Sequence, residues 1–298
     1  MIGVFDSGHG GLTVLGALTA ALPDRRFVYL GDHAHAPYGE RTPEEVYHLT
    51  LQGVETLFGL GCRLVVLACN TASALALRRL QQTWLPHAWP ERRVLGVLVP
   101  MVEAITGMPW MADVPAGRHA GEPRTIGIFA TSRTVDSEAF PREIGKRAPE
   151  VTVAQQACPD LARLIEADAP PDIIAAAVRL YADGLMRRLG GVPPSAVMLG
   201  CTHYPLVADA FAAALPPGVE LLCQPSLTAR SLAAYLDRHP EMDAMGAADP
   251  AFHTSGDPDR VTPLATRFFG RPAPFRRLAL KPPRALAGAV PVAVSGAA

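Results

Sequence analysis

Short apolar runs at residues 1–5, 27–31, 64–68, 94–98, 125–130, 150–154, 196–200 and 219–223 alternate with longer amphipathic stretches rich in Ala and Leu. This alternation constrains the fold more than any other feature. Successive parallel strands need a crossover of a dozen or more residues, normally a helix, so the pattern predicts α/β units around a parallel sheet. Apolar spacing places the helices over 11–21, 43–60, 72–83, 135–148, 159–167, 171–189, 205–215 and 226–238. The stretch 107–124 has Gly and Pro and no period, and reads as a loop or insertion. The Pro- and Ala-rich segment after about 270 is expected to be poorly ordered.

Composition removes several function classes. The chain has 298 residues, 49% of them hydrophobic, enough for two modest domains. A net charge of −1 gives no electrostatic footprint for nucleic acid or an anionic membrane, so small neutral or zwitterionic partners fit better. No basic leader opens the chain, and no apolar run reaches the roughly 18 residues of a spanning helix, which predicts a cytoplasmic protein without a membrane partner. Five cysteines, an odd number widely spaced, read as free thiols. Of 27 basic residues only Lys146 and Lys281 are lysines, one at a helix end and one in a Pro-rich stretch. Neither suits a Schiff base, which argues against pyridoxal phosphate.

Two strand-then-turn modules recur in the same order. "IGVFDSGHGGLTV" (2–14) parallels "IGIFATSRTVDSEAF" (126–140), and "RLVVLACNTAS" (63–73) parallels "SAVMLGCTHYP" (195–205). The plain alternative is that parallel α/β strands all look alike. If the modules correspond, Cys69 and Cys201 leave equivalent strands at their carboxyl ends, where ligands of open parallel sheets bind. Both would then face one cleft.

A thiolate near a helix N-terminus or a protonated His is acidified, so either cysteine is expected to be partly ionised near neutral pH. One thiolate and one thiol on opposite faces of a carbon can remove a proton from one side and deliver another from the other side, inverting the stereocentre. Asp6 and His203 are the nearest candidates to manage those protons. Ser7, Asn70, Thr71, Thr131, Thr134 and Thr202 offer amides and hydroxyls for a carboxylate and for transition-state charge.

"GVFDSGHGGLTVL", "GDHAHAPYGERTPEEV", "LACNTASA", "ACPDLARLIE", "LGCTHYPL" and "FHTSGDP" resemble, in order and spacing from residue 2 to about 258, the motifs of the bacterial glutamate racemases of the cofactor-independent Asp/Glu racemase superfamily. The resemblance implies two similar α/β lobes, each a mainly parallel sheet flanked by helices, with the active site in the cleft between them. The first lobe would comprise 1–98 plus 207–270, the second 99–206, with 271–298 as tail. It implies Cys69 and Cys201 as the two acid/base thiols, supported by Asp6, His203 and Glu166. Substrate contacts would come from Asp6, Ser7, Pro37, Tyr38, Gly39, Asn70, Thr71, Thr134, Thr202 and His203. The implied reaction is interconversion of L- and D-glutamate, supplying D-glutamate for peptidoglycan, by a homodimer without cofactor or metal.

Three positions depart from the family pattern. His33 stands where Thr is usual, His9 where an aliphatic residue is commoner, and "CQPS" (223–226) replaces a typical Asp-Ser. The last change is expected to lie away from the chemistry. The glycines of "DSGHGG" lack the Gly-Lys-Ser/Thr of a phosphate loop, and His33, His35, Cys201 and His203 lack structural-zinc spacing. The basic and aromatic segment 78–93 reads as a solvated face or subunit contact. Cys62, Cys158 and Cys223 read as small core residues. Rival readings are an aspartate or hydantoin racemase, a maleate isomerase, a Cys201–His203 hydrolase or transferase, and a small-molecule binding protein; a decarboxylase of the superfamily keeps only one of the two cysteines.

Overall fold

The computed structural model describes residues 1–108, 124–243 and 245–284. The chain runs β1 (Ile2–Asp6), α1 (Gly11–Ala21), β2 (Phe27–Gly31), α2 (Pro43–Gly59), β3 (Leu64–Leu67) and α3 (Asn70–Leu75). There follow α4 (Leu77–Arg79), α5 (Leu85–Ala88), β4 (Arg93–Gly96) and α6 (Leu98–Thr106). The second stretch holds β5 (Arg124–Ala130), α7 (Ser132–Asp136), α8 (Ala139–Gly145), β6 (Val151–Ala157), α9 (Leu161–Glu166), α10 (Pro171–Arg188) and β7 (Ala196–Gly200). It continues with α11 (Ala208–Ala214) and β8 (Glu220–Cys223), before α12 (Gln224–Arg238), β9 (Ala251–Thr254), α13 (Pro258–Phe269) and β10 (Phe275–Arg277).

The strands form two parallel sheets, ordered β10-β9-β2-β1-β3-β4 and β6-β5-β7-β8. The run β2-β1-β3-β4 has the same order as β6-β5-β7-β8. The strand at 220–223 therefore belongs to the second sheet, as the counterpart of β4, because Ala196–Leu199 pair with Glu220–Cys223. The chain returns to the first sheet at about 224 rather than near 206. Residues 207–223 continue the second lobe, with α11 packed on α10.

Successive residues of each strand feed opposite faces, as a sheet covered on both sides requires. In β1, Ile2 and Val4 join a core with Leu15, Tyr29, Leu232 and Phe268, while Phe5 joins another with Val54, Leu57 and Phe58. In the second sheet, Ile126 and Ile128 pack with Phe140 and Ile144, while Phe129 packs with Val178, Leu199 and Phe211. Local signals start the helices where expected. Thr42 and Glu45 form a reciprocal capping box ahead of α2, with Pro43 at its first position.

Three expectations change. The helix expected over 72–83 is broken at Ala76 and passes through a π turn at Leu80–Trp84. Within 78–93 the two tryptophans are buried rather than displayed: Trp84 stacks on Phe58, and Trp89 donates to Glu55 at 2.9 Å beneath the Arg92 and Arg284 guanidiniums. Residues 271–284 are packed, not loose. Here β10 extends the first sheet, Leu278 and Leu280 lie against the core, and the Lys281 N–H donates to Thr56 Oγ1 at 2.7 Å. The remainder of the expected tail, 285–298, and most of the 107–124 loop lie outside the described residues.

Candidate active site

Loops leaving β1, β3, β5 and β7 at their carboxyl ends meet between the sheets. Thr13 Oγ1 donates to the Thr202 carbonyl at 3.1 Å, and Thr202 Oγ1 to Asp6 Oδ2 at 3.4 Å. Gly10 is required at this junction, since a Cβ there would stand 2.2 Å from Thr202 Oγ1 and 2.5 Å from His203 Nδ1.

Cys69 caps α3. Its Sγ accepts the Ala72 N–H at 3.4 Å and lies 3.6 Å from Ser7 Oγ. Cys201 directly follows β7, and its Sγ lies 3.8 Å from His203 Nδ1. Both thiols are free and buried, at 5% and 6% exposure. Cys69 is not acidified as the sequence led us to expect. Burial, with the nearby Asp6 charge, pushes the thiol up to about 12, and the Ala72 N–H and Ser7 offset only part of this.

The Cys201 side is built differently. His203 Nε2 meets Glu166 Oε2 at 3.2 Å. Burial alone would lower the His203 pKa, but hydrogen bonding to Cys201 and Glu166 outweighs it and lifts it to about 10. Burial would likewise raise Glu166, yet the His203 and His9 contacts hold it well below the usual carboxylate range. Asp6 is fully buried and accepts the Gly8 N–H at 2.9 Å. Burial pushes its pKa up, against the His203 charge and the Gly8 and Gly11 amides.

The other expected residues surround the thiols in two groups. Thr71 Oγ1 lies 3.1 Å from Thr131 Oγ1 and 3.3 Å from Thr134 Oγ1, a cluster of hydroxyls joining the lobes. Gly39 lies beside it, where a Cβ would sit 3.1 Å from Thr131 Cβ; the neighbouring Tyr38 is buried and Pro37 is exposed. The Tyr38 hydroxyl is taken by Asp32 at 2.6 Å, so Tyr38 offers a buried ring rather than a free donor. Asn70 forms a reciprocal amide pair with Gln224, at 2.6 and 2.7 Å. The change at 223–226 thus touches the site, contrary to the sequence reading.

His9, Asp32 and Gln224 were not among the expected site residues. His9 Nδ1 is 2.5 Å from Glu166 Oε1. The only sequence signal for His9 and Gln224 was their departure from the family pattern, because their partners lie 157 and 154 positions away. Asp32 accepts from Ser255 as well as Tyr38, and pairs with His35 at 2.8 Å. Cys62 and Cys158 are buried and Cys223 half-buried, and burial raises all three thiols. Among the described residues no three His, Cys, Asp or Glu side chains are grouped to hold a metal ion.

This arrangement of two differently supported thiols fits acid/base chemistry at one carbon. The sequence matches the Asp/Glu/Hydantoin racemase family over residues 11–232. A glutamate racemase of Phenylobacterium zucineum is 48% identical, covering 92% of this chain and 98% of its own, and one of Jannaschia sp. is 49% identical with the same coverage. The solved glutamate racemase of Thermus thermophilus, in complex with β-chloro-D-alanine, superposes with a TM-score of 0.75 at 34% identity, over 94% of this chain and 96% of that one. On sequence match and shared architecture alike, the chain belongs to the Asp/Glu/hydantoin racemase family.

Proposed function

We propose that the protein interconverts L- and D-glutamate by pyridoxal-phosphate-independent proton transfer at the α-carbon, supplying D-glutamate for peptidoglycan. The observation that carries this reading is that Cys69 and Cys201 follow equivalent strands, β3 and β7, of two four-strand runs with the same order. One sulfur, as thiolate, takes the α-proton and becomes a thiol. The opposite thiol gives its proton to the other face and becomes a thiolate, so configuration inverts and no proton is gained or lost.

The roles divide by environment. Cys69 works with Ser7, and Cys201 with His203 and Glu166; the Asp6 charge acts on both Cys69 and His203. Ser7, Asn70, Thr71, Thr134 and Thr202 hold the substrate's polar groups, and Pro37, Tyr38 and Gly39 wall it off. Burial of Tyr38, Asn70, Thr71, Thr134 and Thr202 supports the reading, since hydrogen bonds to developing charge are strongest where water is excluded. The relatives, named glutamate racemase at 45–49% identity, favour glutamate over aspartate, a hydantoin or maleate. The same reading has the enzyme working in the cytoplasm as a homodimer without nucleic acid. No helix of the described residues is long and apolar enough to cross a membrane.

The test is proton NMR with circular dichroism of the protein and L-glutamate in D2O, without cofactor, beside Cys69→Ser and Cys201→Ser. Expected are loss of rotation and deuterium at the α-position, with racemisation abolished by either substitution. Glutamate that keeps its rotation with folded wild-type protein sinks the assignment. Racemisation that survives loss of either cysteine overturns the two-thiol mechanism.

A further inference from the structure

Behind His203, the Glu166 carboxylate is held by a second imidazole. His9 is buried, at 3% exposure, in the loop after β1, and its Nε2 lies 3.0 Å from the Val261 carbonyl at the start of α13. A carbonyl only accepts, so Nε2 carries a proton. His9 Nδ1 stands 2.5 Å from Glu166 Oε1, too close for two lone pairs, so a second proton lies between them. The ring is fixed on its remaining sides: it stacks on Phe268 of α13 at 5.5 Å and meets the edge of His33 at 4.3 Å. His33, in the loop after β2, bonds to the Gly31 carbonyl and Thr254 Oγ1, and burial with the His9 charge lowers its pKa to about 3. It therefore stays neutral. Glu166 lies at the end of its helix with 30% of its side chain exposed, and without a second anchor it is free to turn toward water.

We propose that His9 is a positioning residue for the Cys201 half of the reaction: it clamps Glu166 by one carboxylate oxygen so that the other stays on His203, whose far nitrogen faces the Cys201 sulfur. The line Val261 carbonyl–His9–Glu166–His203–Cys201 thereby ties one thiol to α13 in the opposite lobe. Among the described residues, the Cys69 sulfur is hydrogen-bonded to a hydroxyl and a backbone N–H, with no imidazole–carboxylate pair behind it. The two thiols are then managed unequally. Enantiomers have equal free energy, so kcat/KM must be the same in both directions at every pH, and the inequality can appear only in kcat and KM taken separately.

The kinetic side of this proposal rests on the glutamate reading; its structural side does not. The experiment is imidazole 15N NMR titration of the full chain, with His203 assigned from a His203→Gln sample, for wild type, His9→Leu and His9→Asn, followed by kcat and KM in both directions against pH. Leu supplies the commoner aliphatic side chain. The Asn amide places an N–H donor near the position of Nδ1.

In His9→Leu, His203 is expected to titrate about one unit lower as Glu166 turns away, the alkaline limb of kcat/KM to move with it, and kcat to fall about tenfold. In His9→Asn both are expected to return close to wild type. Removing a proton-bearing ring would by charge alone shift His203 upward, so an upward or absent shift in His9→Leu overturns the clamp. Equal impairment of Leu and Asn also overturns it, because His9 would then only fill space. If wild type fails to racemise glutamate while the His203 shift appears, the function reading fails and the clamp stands.

Discussion

Asn70 and Gln224 hold each other by both ends of their amides, at 2.6 and 2.7 Å, across 154 residues of sequence. Asn70 opens α3 beside Cys69, and Gln224 opens α12 where the chain returns to the first lobe. Gln224 Nε2 also reaches the Val97 carbonyl at 3.4 Å, near the point where the chain leaves that lobe. Both crossings of the chain thus meet at one site amide.

Gln224→Leu keeps the volume but leaves the Asn70 amide buried without its partner. It is expected to destabilise the protein by about 1–3 kcal/mol, read from urea denaturation, and to raise KM for glutamate as Asn70 loses its orientation. Unchanged stability and KM would show the pair to be incidental.

Gly10→Ala puts a Cβ within 2.2 Å of Thr202 Oγ1 and 2.5 Å of His203 Nδ1, both on buried side chains. The expected result is a folded protein with kcat reduced about a hundredfold, as for an ångström-scale misplacement of a catalytic group. A crystal structure of the variant with His203 undisplaced and activity intact would refute it.

Stability should depend on pH through the same residues. His203 has a folded pKa of about 10 against about 6.5 unfolded, so its contribution is full below pH ~6.5 and is lost as pH rises toward 10. Glu166 is shifted the other way, so its contribution holds above pH ~4.3 and is lost as pH falls through its lowered folded value. Between pH 7 and 10 the wild-type Tm should fall further than that of Glu166→Gln, where His203 has lost one of the partners that raise it. Parallel melting curves for the two proteins would count against the linkage.

Ending the chain at residue 270 removes β10, the buried Phe275 and the Leu278 and Leu280 contacts. Loss of one buried Phe alone costs about 3–5 kcal/mol, so thermal denaturation should show at least that destabilisation. A truncated protein with wild-type Tm would restore the picture of a loose tail.

Alternating apolar runs and amphipathic stretches located the strands through β8 and most of the helices between them, though not α6 or the break at Ala76, because those signals are local: a period, a cap, a proline. The order of the motifs placed Cys69 and Cys201 at strand ends for the same reason. Tertiary structure alone decided which sheet 220–223 joins, since a parallel strand carries no local mark of its neighbour. It also decided that the Cys69 thiol is raised to about 12 rather than acidified, because burial and the Asp6 charge outweigh one helix terminus. The short β9 and β10 and the bonds His9–Glu166 and Asn70–Gln224 join residues far apart in the chain. Nothing in either segment by itself distinguishes such a partner from an ordinary buried polar residue.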